Sequence, residues 1–363
     1  MSELKVTLSA RTDVGRVRGH NEDAYIALDL TRADVAVGNG ELVELDVGPQ
    51  GVLVGVSDGM GGSQAGEIAS AMVVQSLDQS LRAESHSSPD DILKEAVERA
   101  NREVHEAGRE PGRSGMGATL TAVLLRDSHA HIASVGDSRA YLLREGRLRQ
   151  MTRDQSYVQV LLDAGLIKEQ EAAHSAFSSI ILQSMGQKED VQVALGRLEL
   201  RRGDRLFICS DGVTGHLPDA DLAELLKSTD SLDVITQRIV DLANERGGSD
   251  NITAVVADVS GGKLRRVAGP ETVTQTFQVI SEFASPVKKS GDAAAPATKA
   301  PAVAPQTVDP SGWEDEAAAS KGSETTAATP SSPTSSTGNA SLVLGFVALV
   351  VVAAGVGYWL FAG

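Results

Sequence analysis

The 363-residue sequence predicts an α+β body of antiparallel sheets and helices, followed by a disordered linker and a single C-terminal transmembrane helix. Three observations carry that reading. Strand-length apolar runs follow one another directly, as in "AHIASVGDSRAYLLREGRLRQ" at 130–150, so hairpins outnumber the crossovers that a parallel sheet requires. Near residue 262 the composition changes, and Pro, Ala, Ser and Thr take over. The stretch 341–363 is uncharged and almost wholly apolar.

The elements follow in chain order. "KVTLSART" (5–12) is a strand, and "NEDAY", with Glu22 and Asp23 side by side, leads into another. "GVLVGVSD" (51–58) is an apolar run that meets an Asp-Gly turn signal at Asp58 and Gly59. Apolar residues three and four apart make helices of 65–81 and 89–108. Strands follow at 118–126, 130–138 and 140–146, then a helix over 154–167. Two more strands, 193–200 and 204–211, precede a helix at 232–246 and a last strand at 252–259. The segment 271–283, apolar at period two, is compatible with a short strand or a docked motif.

The tract from about 285 to 340 cannot bury enough apolar area to order itself and reads as a tether. About 20 apolar residues of 341–363 suffice to cross a roughly 30 Å hydrocarbon core. Tyr358 and Trp359 sit where an interfacial aromatic belt is expected. With the start "MSELKVTLSA" lacking the apolar core of a signal peptide, the expectation is a tail-anchored protein of the cell membrane with a cytoplasmic body.

Charge removes one class of function. The chain has 33 Lys and Arg against 49 Asp and Glu, for a net charge of -16. Residues 263–324 hold seven basic and eight acidic side chains, and no charge follows Glu324, so the excess belongs to the body. Such a surface repels nucleic acid. Cys209, the single cysteine, cannot form an intramolecular disulfide.

Carboxylates recur at strand ends: Asp58 in "VSDG", Asp137 in "VGDS", Asp211 in "CSDG", Asp250 in "SDNI", and the Glu22–Asp23 pair. Each alone is more often a turn residue than a ligand. Gathered in one cleft they could not all stay ionised without cations, and hard oxygen donors select Mg²⁺ or Mn²⁺. A pair of such ions clamps a phosphoryl group and acidifies water into a nucleophile. Other phosphate chemistries lack their residues. Position 215, where a cysteine phosphatase would need arginine, is Gly215. Val56 and Cys209 stand where Asp-x-Asp chemistry needs a second aspartate, and "GMGGSQAGE" offers no lysine for a nucleotide loop. Hydrolysis by a metal-activated water remains.

The segments "RTDVGRVRGHNEDAY", "VSDGMGGSQAGEIAS", "SGMGATLTAVLL", "ASVGDSRAYLLREGRLRQMTRDQSYV", "GDRLFICSDGVTG" and "SDNITAVVADV" occur in the order and spacing of the bacterial metal-dependent protein serine/threonine phosphatases, type 2C. The resemblance covers about residues 5–260 and implies a four-layer α-β-β-α sandwich with two central antiparallel sheets. With the composition of the remainder, the expected division is a phosphatase domain at 1–262, a mostly disordered linker at 263–340 and a transmembrane helix at 341–363.

Carried over by position, the resemblance implies that Asp58 bridges two ions, with the Gly59 carbonyl on the first and Asp211 and Asp250 on the second. Glu22 and Asp23 would hold waters on the ions. Asp137, with Asp211, would make a binuclear Mg/Mn site trinuclear. Arg18 would grip the substrate phosphate, and Arg16 is its alternative. Met60 and Ser63 stand where histidines are found in some relatives, so no side chain is named as general acid, and His20 and His216 receive no role. Residues 150–190 correspond to a mobile flap whose "HSAFSSIILQSMG" departs from the family pattern. The implied function is removal of phosphate from phosphoserine and phosphothreonine of proteins, opposing a serine/threonine protein kinase at the membrane. The alternatives are a catalytically silent phosphoprotein-binding scaffold and a hydrolase of small phosphate esters.

Overall fold

Two stacked sheets take up nearly every apolar run of the sequence, and the residues between those runs make the edges, turns and helical cover. The computed structural model describes residues 4–32, 36–62, 64–83, 87–168, 171, 177, 180–267 and 273–284. The strands are β1 (Lys5–Asp13), β2 (Asp23–Asp29), β3 (Leu42–Asp46), β4 (Val52–Met60), β5 (Gly117–Ala118), β6 (Leu120–Arg126) and β7 (His129–Val135). They continue with β8 (Arg139–Arg144), β9 (Arg147–Gln150), β10 (Ala194–Glu199), β11 (Arg205–Cys209), β12 (Ile252–Ser260) and β13 (Phe277–Ser281). The helices are α1 (Ala65–Arg82), α2 (Pro89–Ala107), α3 (Tyr157–Asp163), α4 (Asp211–Thr214), α5 (Asp219–Leu226), α6 (Leu232–Glu245) and α7 (Val273–Thr276).

The first sheet runs β3-β1-β12-β11-β8-β9 and the second β13-β10-β7-β6-β4-β2, with β5 beside β4. All named strand pairs are antiparallel, as the hairpin-rich sequence predicts. Three apolar layers hold the stack together. Val6, Leu8, Val54, Val56, Ile208 and Val255 pack between the sheets. Leu53, Val73, Leu77, Leu93, Val97 and Leu124 fill the space under α1 and α2. Phe207, Leu222, Ile235, Ile239 and Val256 pack under α5 and α6. Burial on both faces is why β4 and β12 read as continuous apolar runs rather than alternating ones.

Local signals set the helix ends. Ser88 accepts the Asp91 N–H at the start of α2, with Pro89 at its first position and Asp90 and Asp91 in its first turn. α1 has no side-chain cap; the Gly62 carbonyl takes the Ala65 and Gly66 N–H groups instead.

Two expectations change. Asp58 is not the tip of its strand. β4 continues to Met60, and the chain turns at Gly61 and Gly62, with φ of 121° and 88°. The folded body also runs past 262: Leu264 is buried, and β13 pairs with β10 at the edge of the second sheet. The strand alternative for 271–283 holds, and the first part of the expected linker belongs to the body. The Arg144–Asp204 ion pair, 2.6 Å and fully buried, reinforces this, because Arg144 Nη1 also donates to Thr276 Oγ1 at 2.7 Å. β3 and α5 carry weak patterns and escape the sequence reading; β3 is an exposed edge with one buried residue. The linker from 285 and the apolar run 341–363 lie outside the described residues.

Candidate active site

Antiparallel register brings the carboxylates to one end of the two sheets. On the second sheet, Asp23 of β2 stands directly opposite Asp58 of β4. On the first, β11 and β12 pair Cys209 with Ala254, so Asp211, just after β11, and Asp250, just before β12, meet at the same end. Glu22, Asp58, Asp211 and Asp250 line a cavity of about 650 Å³ together with Arg18, Gly59 and Asn251. Asp23 and Asp137 are buried and do not line it.

The sheets are tied at this point by polar bonds. Ser210 Oγ and Thr253 Oγ1, from the first sheet, donate to Asp23 Oδ2 on the second at 2.8 and 2.6 Å. Thr119 braces Asp58 by accepting its backbone N–H at 3.0 Å and donating its own to the Asp58 carbonyl at 2.8 Å. Asn251 accepts the Glu22 N–H at 2.8 Å and donates to the Val14 and His20 carbonyls, which fixes the loop bearing Arg18 and Glu22.

Glycine permits the close approach beneath the cavity. A Cβ on Gly59 would meet the Gly66 carbonyl oxygen at 2.1 Å and the Glu22 carbonyl oxygen at 2.7 Å. A Cβ on Gly66 would meet Glu22 Oε2 at 2.4 Å. The two glycines therefore let the start of α1 press against β4 below the acidic cluster.

The electrostatics are those of crowded like charges. Burial first, then the charges of Asp23, Asp211, Asp137 and Asp250, push Asp58 well above the usual carboxylate range. Burial pushes Asp23 up to about 7 against the hydrogen bonds of Thr253 and Ser210, and Asp211 and Asp250 add to the rise. Asp137 is pushed up to about 8 by burial, then by Asp211 and Asp154. Asp211 is raised by burial and by Asp250. Among the described residues, Asp23 Oδ1, Asp137 Oδ1 and Asp211 Oδ1 are buried without any hydrogen-bond partner. Buried orphan carboxylate oxygens are costly, and a hard divalent cation is the group that satisfies them. The donor set thus fits Mg²⁺ or Mn²⁺, although no three of the described His, Cys, Asp and Glu side chains close into a finished cage.

The sequence pattern of the family Protein phosphatase 2C matches residues 43–257. The chain belongs to the protein phosphatase 2C family. The serine/threonine phosphatase stp of Listeria innocua is 35% identical over 253 residues, which cover 68% of this chain and 94% of that protein. The serine/threonine protein phosphatase PstP of Mycobacterium tuberculosis is 35% identical over 260 residues, covering 70% of this chain and 45% of that one. Among solved structures, the S. agalactiae serine/threonine phosphatase aligns with a TM-score of 0.62 and 34% identity, over 70% of this chain and 99% of that one. The catalytic domain of PstP in complex with two manganese ions aligns with a TM-score of 0.60 and 35% identity, over 71% and 99%.

In this protein phosphatase 2C body, most expected site residues come together. Arg18 lines the cavity with a half-exposed side chain and donates from Nη2 to Asp250 Oδ2 at 2.7 Å. Arg16 does not line it; its backbone N–H bonds to the Gly248 carbonyl. Met60 and His20 line the cavity, whereas His216 is engaged with Ser249 through Nε2. Cys209 is buried, and burial pushes its thiol up, away from nucleophilic use. Ser63 lies outside the described residues. Ser210, Thr253, Thr119 and Asn251 escape the sequence reading. Their signal was a hydroxyl or amide set inside or beside a fully apolar strand, where a buried polar group needs a partner. Ile180 and Ile181, from the flap, also face the cavity.

Proposed function

We propose that the chain is a Mg²⁺- or Mn²⁺-dependent phosphatase that hydrolyses phosphoserine and phosphothreonine on proteins. The observation that carries the reading is the meeting of carboxylates from both sheets around one open cavity, with three buried oxygens unpartnered and an arginine at the rim. The resemblance and the relatives' names support the substrate class. Asp58, Asp211, Asp250, Glu22 and the Gly59 carbonyl would hold the ions, and Asp137 with Asp211 a further one. Bound there, the cations supply Lewis acidity and acidify water for attack on phosphorus.

The chain's own groups do the rest. Arg18 offers two parallel N–H donors to the phosphate oxygens. Asp23, fixed through Oδ2 by Ser210 and Thr253, keeps Oδ1 free to accept a hydrogen bond from water and orient it. Ile180 and Ile181 give an apolar edge against which a peptide side chain packs.

The apolar run 341–363 supports attachment to a membrane by a single helix, with the body on the cytoplasmic face; among the described residues no helix is long and apolar enough to span one. The Pro-, Ala-, Ser- and Thr-rich composition between the body and this run supports a tether, and a coil of about 55 residues would span roughly 40 Å. Sharing a membrane with a serine/threonine kinase would raise the effective concentration of enzyme and substrate.

Phosphothreonine-peptide hydrolysis that stops in EDTA and returns with Mn²⁺ is the expected result; hydrolysis persisting in EDTA refutes the metal-dependent reading. Binding of phosphopeptide without turnover at any metal concentration would favour the silent scaffold. Turnover of small esters alone would favour the ester hydrolase. Loss of membrane association on removing 341–363 tests the anchor.

A further inference from the structure

Asp137 sits in a loop that leaves β7 at Val135 and turns at Gly136, where φ is 101° and glycine is required. One side of this loop is braced by Thr119 and Thr121. Thr119 Oγ1 and Ser138 Oγ share a hydrogen bond of 2.7 Å, and Thr121 Oγ1 donates to the Ser138 carbonyl at 2.7 Å. The other side is braced by Gln155, a side chain only 2% exposed. Its Oε1 accepts the Gly136 N–H at 3.0 Å, its backbone N–H donates to the Gly136 carbonyl at 2.9 Å, and its Nε2 donates to the Ser134 carbonyl at 3.1 Å. Asp154, next in the chain, is locked by the Arg139 guanidinium, with Nη2 to Oδ2 at 2.6 Å.

Two more glutamines extend the brace outward. Gln183 Nε2 donates to Gln155 Oε1 at 2.9 Å and to the Gln192 carbonyl at 2.8 Å, and Gln183 Oε1 accepts the Gln192 N–H at 2.8 Å. Gln192 Oε1 accepts the Ala284 N–H at 3.1 Å, at the end of the docked C-terminal segment. That segment is held by β13 pairing, by Ser281 Oγ donating to the Val193 carbonyl at 2.8 Å, and by Arg144 at Thr276. Gln155 also lines a second cavity of about 450 Å³, together with Leu182, Phe277 and Phe283.

We propose that Gln155 is a positioning residue for Asp137, and that Gln183 and Gln192 carry the docking of the C-terminal segment to it. The inference rests on the metal-dependent reading of the site. Asp137 Oδ1 has no hydrogen-bond partner, so the placement of that carboxyl group follows the backbone of its loop. Removing the Gln155 amide takes the side-chain acceptor from the Gly136 N–H in a buried place, and the loop shifts to recover a partner. The segment that begins the tether is thereby joined to a cation-holding loop on the far side of the sheet edge.

The test is a Mn²⁺ titration of the full chain followed by thermal shift, which needs no turnover, alongside peptide hydrolysis. Gln155→Met raises the Mn²⁺ concentration at half-maximal shift by about tenfold, and Gln192→Met by about two- to threefold. On an Asp137→Asn background the effect of Gln155→Met falls to less than about twofold, because both changes act through one carboxylate. A lowered melting temperature in Gln155→Met with the wild-type Mn²⁺ midpoint, or full additivity with Asp137→Asn, overturns the positioning role. A wild-type midpoint in Gln192→Met overturns the relay, and since Gln192 is exposed this variant decides that point even where Gln155→Met does not fold. Absence of any Mn²⁺ shift in the wild-type chain would instead refute the metal-dependent reading.

Discussion

Withdrawing divalent cations should make the body less stable as the pH rises, the reverse of what buried salt-bridged carboxylates normally give. Asp23 and Asp137 have folded-state values of about 7 and about 8 against an ordinary 3.8, with burial the first cause in each. Between those values and the unfolded one, the folded chain binds more protons than the unfolded chain, so stability falls as pH rises through that window. From about pH 8.5 down to about pH 6.5 the two groups together return about 2 to 3 kcal/mol, which corresponds to about 5 to 10 °C in melting temperature for a body of this size. His131, whose value burial lowers, acts with the opposite sign and enters at the lower edge of this window, where it offsets a small part of the gain. The assay is thermal unfolding of the EDTA-treated chain at the two pH values, repeated with excess Mn²⁺. With the metal present the increment over EDTA is larger at the higher pH, because the ligands must be deprotonated to bind. A melting temperature in EDTA that is flat or falls on going from the higher to the lower pH would refute the account of the cluster.

Asp58→Asn should lower kcat on a phosphothreonine peptide by at least about a thousandfold, while stability in EDTA at neutral pH holds or rises because one carboxyl group fewer is crowded among buried acids; unimpaired turnover would remove Asp58 from the site. Gly59→Ala should cost about 1 to 3 kcal/mol in denaturant unfolding and impair turnover, since its Cβ runs into the Gly66 backbone rather than a movable side chain. Arg18→Lys keeps the charge and loses the fork, so KM for phosphopeptide should rise about tenfold with kcat changed less. Asp204→Ala strands the Arg144 guanidinium in the interior and should cost about 3 to 5 kcal/mol by chemical denaturation.

The sequence made the carboxylates of the candidate site visible because each lies beside a turn residue at the end of an apolar run, and it made the antiparallel architecture visible through consecutive hairpins. It ended the strand at Asp58, two residues early, while the turn stands at Gly61 and Gly62, the glycines that read as room for the chain to bend. "SDGMGG" contains two turn signals, Asp-Gly and Gly-Gly, and only the sheet pairing of Gly59 with Ala118 decides that the second one bends the chain. The braces behind these carboxylates were hidden for a different reason. Thr253 is chosen by its distance to Asp23 across the gap between sheets, and the two are 230 positions apart in the chain. β13 was ambiguous because five residues of alternating polarity carry little signal until an edge strand is there to receive them.

The inter-sheet bonds bear on how the site is assembled. Asp23 arrives on the second sheet and its two hydroxyl donors on the first, so its carboxyl group is oriented only when the apolar layer between the sheets has closed. Asp58 is likewise fixed by Thr119 within the second sheet, whereas Asp211 and Asp250 come from the first. A site divided in this way cannot form on either sheet alone. Cations bridging the two sets of carboxylates would therefore stabilise the stacking of the sheets as well as their own coordination, by the same linkage that ties any ligand of the folded state to folding.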